Sequence, residues 1–69
     1  MTWETSNLLA EISLSKNKRQ DIARSYAELL KRQDKADWNA INQAIMDRWS
    51  FSGLEYIKTR AWKIAEGSL

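Results

Sequence analysis

The sequence predicts an all-α fold, a compact bundle of four short-to-medium helices with helix-turn-helix-like links, in one domain covering residues 1–69. Proline is absent and glycine occurs only twice, so few residues interrupt helix formation. Apolar residues also recur with a period of about 3.6 residues, and residues suited to helix capping precede those stretches. The predicted helices cover residues 6–13, 16–33, 35–49 and 53–66.

A short link joins the first two predicted helices. Ser6 or Asn7 is expected to cap the first helix, and Ser15 to cap the second, because side-chain oxygens of these residue types accept hydrogen bonds from the first free backbone amides. The second helix has one apolar stripe, which consists of Ile22, Tyr26, Leu29 and Leu30. Its spacing is typical of a single buried helix face.

The last two predicted helices are also close in sequence. Asp34 and Asp37 are expected to cap the third helix, because a carboxylate stabilises the positive end of a helix. A serine three residues before a glutamate, Ser52 and Glu55, is a capping-box signature and predicts that a fourth helix begins after a link at residues 50–52. The third helix has the most regular apolar ridge in the chain: Trp38, Ile41, Ile45 and Trp49.

Three aromatic residues, Trp3, Tyr56 and Trp62, lie off the predicted apolar stripes. Most large apolar residues are expected in the core. Tyr56 and Trp62 give the fourth helix apolar residues on more than one face, so this helix is either central in the bundle or covered by a partner. The central position is the interpretation that we favour.

The composition argues against catalysis. The chain has no cysteine and no histidine, so the common nucleophile–base pairs and the commonest metal ligand are missing. Its nine carboxylates are scattered along the sequence, and it has no phosphate-binding glycine loop or calcium-binding loop. We therefore predict a binding protein that is not an enzyme and uses neither a cofactor nor a metal.

Nothing in the sequence indicates a membrane or secreted protein. No apolar run approaches the ~20 residues that a membrane-spanning helix requires. The first residues lack the basic start and apolar block of a signal peptide. We interpret the protein as cytoplasmic or otherwise intracellular.

Positive charge is concentrated at the second predicted helix. The formal net charge is only +2, but residues 16–35 carry seven basic and three acidic side chains. Three cations at the predicted start of this helix oppose the helix dipole, and such a start with free backbone amides suits an anion such as phosphate. The residues predicted to bind nucleic acid are Lys16, Asn17, Lys18, Arg19, Gln20, Arg24, Arg60 and Lys63.

Two helix pairs are compatible with a helix-turn-helix. In the first pair, the second helix would enter the major groove with Asn17, Gln20 and Arg24 near the base edges. In the second pair, the outer face of the fourth helix would present Glu55, Tyr56, Thr59, Arg60 and Lys63. At both places the alternative is a solvated face of an ordinary bundle.

Two functions are compatible with these sequence features. The first is DNA binding through the basic start of the second helix and one exposed helix face, with dimerisation expected because so small a monomer would bind weakly. The alternative is a protein–protein interaction module, such as an adaptor, inhibitor or assembly subunit, that binds through Trp3, Tyr56 and Trp62. Steep salt dependence would indicate the first, and sensitivity to aromatic substitutions the second.

Overall fold

Three α-helices form the described part of the chain. The structure is a computed structural model that describes residues 3–14, 16–32 and 36–67. Its helices are α1 (Trp3–Ser13), α2 (Arg19–Arg32) and α3 (Trp38–Glu66). The all-α prediction is confirmed. The prediction of four helices is wrong, because the helices predicted at 35–49 and 53–66 are parts of the single helix α3.

The third helix bends sharply at Ser50. This residue has φ 67° and ψ −178°, the one set of non-helical angles inside α3. A straight helix of 29 residues would be about 43 Å long. The longest dimension of the molecule is 27 Å, so the two halves of α3, residues 38–49 and 51–66, run in different directions. A bend at one residue therefore takes the place of the predicted link.

The first helix starts earlier than predicted. It begins at Trp3 and not at residue 6, so Ser6 and Asn7 lie inside it and do not cap it. Thr5 is fully buried, and its hydroxyl accepts a hydrogen bond from the backbone amide of Asp37 at 3.3 Å. This contact holds the start of α1 against the start of α3, a tertiary interaction that a local capping rule does not detect.

The second helix starts later than predicted, at Arg19 and not at residue 16. The carboxylate of Asp21 accepts a hydrogen bond from the backbone amide of Lys18 at 2.9 Å, the acidic half of a capping box. The predicted cap Ser15, the predicted helix boundaries at residues 33 and 35, and Asp34 lie outside the described residues.

Both ends of α3 are capped. The Asp37 cap is confirmed, since its carboxylate accepts a hydrogen bond from the backbone amide of Ala40 at 3.1 Å. At the other end, Gly67 has φ 80°, and its amide donates to the carbonyl of Ile64 at 3.0 Å. A left-handed glycine is the common way to end a helix, because it has no β-carbon to clash.

The second helix packs against both α1 and α3, most extensively against α3. It runs antiparallel to α1, because Arg32 lies 3.7 Å from Glu4 and Ser25 bonds Glu11 at 3.2 Å. Its side chains also reach both halves of α3, as described below. The second half of α3, predicted as the fourth helix, buries Leu54, Ile57 and Ala61 but leaves Trp62 52% exposed, so it is not buried on every face. The buried core comprises Leu8, Ile12, Ile22, Ala23, Tyr26, Ala27, Leu29, Ile41, Ile45, Leu54, Ile57 and Ala61.

A buried tyrosine links α2 to the first half of α3. The Tyr26 hydroxyl donates to the Asn42 side-chain oxygen at 2.9 Å, and its ring centroid lies 4.8 Å from that of Trp38. Burial raises the pKa of Tyr26 above its ordinary value of 10.0. In the unfolded chain this tyrosine ionises first as the pH rises, so its contribution to stability is complete below pH 10.0 and is lost above it.

We expect Tyr26→Phe to lower the free energy of unfolding by about 1 kcal/mol at neutral pH, because one hydrogen bond is lost. The same variant should lose stability less steeply than the wild type above pH 10.0. Urea unfolding across this pH range measures both effects. Tyr56→Phe is the matched control, since Tyr56 is exposed. An equally steep alkaline decline in Tyr26→Phe and in the wild type would contradict the prediction.

Candidate nucleic-acid interface

The two basic faces that the sequence predicts separately lie side by side. The guanidinium carbon of Arg19, in the first turn of α2, is 5.2 Å from the centroid of the Tyr56 ring in the second half of α3. This is a cation–π contact, in which the positive charge lies over the negative face of the ring. An open depression of about 380 Å³ adjoins this ring, lined by Glu55, Tyr56, Thr59, Arg60 and Lys63.

A second depression connects this face with α2. It has a volume of about 350 Å³ and is lined by Arg24, Glu28, Arg60 and Ile64. Because Arg60 borders both depressions, the cations of the two helices form one surface. We call this surface the basic groove and define it by Arg19, Arg24, Arg60 and Lys63.

The cations of the basic groove are not neutralised by ion pairs. In the described ranges, the two ion pairs join Lys31 to Glu28 at 3.8 Å and Arg32 to Glu4 at 3.7 Å, and neither includes a cation of the groove. The pairing of Glu28 with Lys31 also offsets one of the two carboxylates beside the groove. Glu55 is the other. The groove therefore keeps a positive balance.

Lys16 and Lys18 precede α2 and are exposed, so only Arg19 of the three predicted cations lies in the first turn. Asp21 already binds the amide of Lys18. The predicted conflict with the helix dipole is therefore smaller than the sequence suggested. The positive charge of this region is carried by the exposed side chains of Lys16, Lys18 and Arg19.

Asn17 is half-buried and takes part in the link between α1 and α2. Its side-chain amide donates to the backbone carbonyl of Glu11 at 2.9 Å, and its backbone carbonyl accepts from the guanidinium of Arg48 at 2.6 Å. These bonds engage the amide that was predicted to contact a base. Gln20, the other predicted amide, is exposed.

Arg48 organises the same link and was not among the predicted residues. One of its terminal nitrogens donates to the carbonyls of Ile12 at 2.6 Å and Leu14 at 2.8 Å. The sequence does contain a signal for it. Arg48 follows Ile45 by three residues and Ile41 by seven, so a cation lies on the predicted apolar ridge of that helix.

The exposed aromatic residues lie on different sides of α3. Tyr56 is 36% exposed and contacts the basic groove, whereas Trp62 is 52% exposed. A spacing of six residues places them about 120° apart around the helix axis. Phe51, at 64%, is more exposed than either and was not predicted. The Trp3 side chain lies outside the described residues.

The packing of α1 on α2 differs from a helix-turn-helix. Contacts join the start of α1 to the end of α2 and the end of α1 to the middle of α2, so the helices lie side by side. Helix-turn-helix motifs instead cross at about 90–120°. The basic groove is instead the charged surface that includes residues of both α2 and α3.

Across the described ranges, no three acidic side chains come close enough together to hold a metal ion. No helix there combines the length and apolar character needed to cross a membrane. Comparisons of the chain with protein families, with curated proteins and with solved structures found no match.

Proposed function

We propose that this chain is a small, non-catalytic DNA-binding domain whose basic groove contacts the phosphate backbone. The observation that carries the proposal is the contact of Arg19 with Tyr56, because it joins the cations of α2 to Arg60 and Lys63 of α3. Two groups of cations that are separate in the sequence therefore lie on one surface, which a single ligand can contact.

The groove provides the kinds of contact that phosphate binding uses. Arginine donates in a planar fork that suits phosphate oxygens, and lysine contributes a point charge. Lys16 and Lys18 shortly precede Arg19 in the sequence and are exposed, so their charges are available to the same ligand. Tyr56 offers a partly exposed ring beside the cations, a group on which a base can stack.

Salt dependence tests this proposal. Four phosphate contacts predict a slope of about −3.6 for the logarithm of the binding constant against the logarithm of salt concentration. The affinity should therefore fall about 100-fold between about 50 and 200 mM salt. Fluorescence anisotropy with labelled duplex DNA gives this slope, and labelled single-stranded DNA should give about −2.8. The double variant Arg24→Gln/Lys63→Gln should reduce the magnitude of the duplex slope by about 2.

The matched control compares Arg24→Gln with Arg32→Gln. Both remove one arginine charge from α2, but Arg32 points towards Glu4 of α1, away from the groove. We expect Arg24→Gln to weaken DNA binding and Arg32→Gln to leave it almost unchanged. Equal effects of the two variants, or no binding at about 50 mM salt, would contradict the proposal.

The alternative of protein binding through Tyr56 and Trp62 as one surface has less support. Their positions about 120° apart on α3 do not form a single patch. Tyr56 is also already in contact with Arg19. Tyr56 therefore belongs with the basic groove, and Trp62 belongs to a different side of the helix.

A further inference from the structure

A partly exposed stripe runs along the second half of α3, on a side of the helix different from that of Arg60. Phe51, Glu55, Lys58 and Trp62 follow one another at spacings of four, three and four residues in the regular helical segment after Ser50. Residues so spaced lie on one face, as in the seam of a coiled coil. The stripe is about 16 Å long.

The described part of the chain leaves most of this stripe uncovered. Phe51 and Trp62 are 64% and 52% exposed and Glu55 is exposed, whereas Lys58 is half-buried. An adjacent face of the same segment is buried, as Ile57 and Ala61 show. Full burial of each aromatic side chain would contribute about 1.5–3 kcal/mol of stabilisation. The monomer obtains only part of this stabilisation, because both rings are more than half exposed.

We propose that a second copy of this chain covers the stripe, with the two α3 segments antiparallel about a two-fold axis. Phe51 and Trp62 are equally far from the centre of the stripe, and so are Glu55 and Lys58. The antiparallel pairing therefore places each Phe51 against Trp62 of the second copy and each Glu55 against Lys58 of the second copy. A two-fold interface requires this self-complementarity.

Other pairings of the same stripe are unfavourable. A parallel pairing would place Glu55 against Glu55 and Lys58 against Lys58, so like charges would meet. A shift of one helical turn from the antiparallel register would place aromatic rings against charged groups. The charges thus select both the direction and the register.

The interface is small, so the dimer should be weak. Two aromatic residues per chain bury less than the roughly 1,200 Å² of a standard interface. We expect a dissociation constant of about 10–500 µM. Trp62 and Arg60 are about 160° apart around α3, so dimerisation leaves Arg60 accessible, and Glu55 lies at the edge between the stripe and the groove. The proposal does not depend on DNA binding.

Sedimentation velocity and light scattering from about 10 µM to 1 mM protein test the dimer. The mass should rise from 8.1 kDa towards twice that value as concentration increases. Trp62→Ala should weaken dimerisation about tenfold or more. Tyr56→Ala is the matched control, because it removes an exposed ring from another face, and it should dimerise like the wild type.

Charge variants test the register. Glu55→Lys and Lys58→Glu should each dimerise poorly alone, because like charges then meet across the axis. Mixed in equal amounts, the two variants should form a heterodimer, and the double swap Glu55→Lys/Lys58→Glu should dimerise like the wild type. Circular dichroism establishes that each variant is folded. If Lys58→Glu does not fold, Glu55→Lys and Trp62→Ala still decide the outcome.

Three results would overturn the proposal. The first is a wild-type mass that stays at 8.1 kDa at the highest concentration. The second is a Trp62→Ala variant that dimerises as well as Tyr56→Ala does. The third is a folded Glu55→Lys variant that dimerises like the wild type, which would place the interface elsewhere. The first two results do not bear on the DNA measurement, because Trp62 lies about 160° from Arg60 around α3. Glu55→Lys also changes a residue beside the basic groove, so its dimerisation is compared with that of Trp62→Ala.

Discussion

Replacement of Arg48 by methionine should lower the free energy of unfolding by about 3 kcal/mol, because one guanidinium holds three backbone carbonyls. Two of the carbonyls, those of Ile12 and Leu14, lie where α1 ends, and the third, that of Asn17, lies just before α2. Hydrogen bonds to a charged group contribute about 1.5–3 kcal/mol each and are not additive. Urea unfolding followed by circular dichroism measures the change.

Two further variants make the test specific. Arg48→Lys keeps the charge, but an ammonium group does not reproduce the planar fork, so we expect it to recover less than half of the lost stability. Arg24→Met removes an exposed arginine and should change stability by at most about 0.5 kcal/mol. Similar losses in Arg48→Met and Arg24→Met would show that the link between α1 and α2 does not depend on Arg48.

Local patterns in the sequence predicted helix content well and helix starts poorly. The Asp37 cap was predicted because its hydrogen bond to Ala40 spans three residues. The predicted start of α2 was wrong, because the link before it is held by Arg48 from 31 residues away. Capping rules consider only neighbours in sequence, so they placed the helix start at a serine.

The number of helices depended on one residue. The Ser52–Glu55 signature predicted a fourth helix after a link at residues 50–52, whereas the structure has a bend inside the single helix α3. The bend is confined to Ser50, which has backbone angles that are usual only for glycine. A serine gives no sequence signal for such angles, so the sequence predicted a link between two helices.

In the candidate site, too, some features follow from the local sequence and others depend on the tertiary fold. Individual cations such as Arg19, Arg60 and Lys63 were predicted from charge and helix period. That Arg19 lies over Tyr56, and thereby joins two faces, depends on how the bend of α3 directs its second half along α2. Distances between residues 37 positions apart do not follow from composition or periodicity.

Gly53→Ala should destabilise the chain by about 3 kcal/mol, although glycine to alanine usually stabilises a helix interior by about 1 kcal/mol. Gly53 is buried, and a β-carbon there would overlap the β-carbon of Trp49 and lie 3.3 Å from its γ-carbon. The β-carbon of Trp49 is attached to the backbone and cannot rotate away. The bend at Ser50 must therefore open to accommodate the methyl group.

Two controls separate this clash from other effects of glycine and of the bend. Gly67→Ala meets no atom within 4 Å and has φ 80°, so backbone strain alone should cost about 1 kcal/mol. Ser50→Gly relieves the angles at the bend and should stabilise the chain by about 1 kcal/mol. Thermal and urea unfolding give all three values.

Equal losses in Gly53→Ala and Gly67→Ala would mean that the close packing of Trp49 on Gly53 does not fix the bend. A large loss in Gly53→Ala alone would mean that it does, and the same variant should then weaken DNA binding, because opening the bend separates Tyr56 from Arg19.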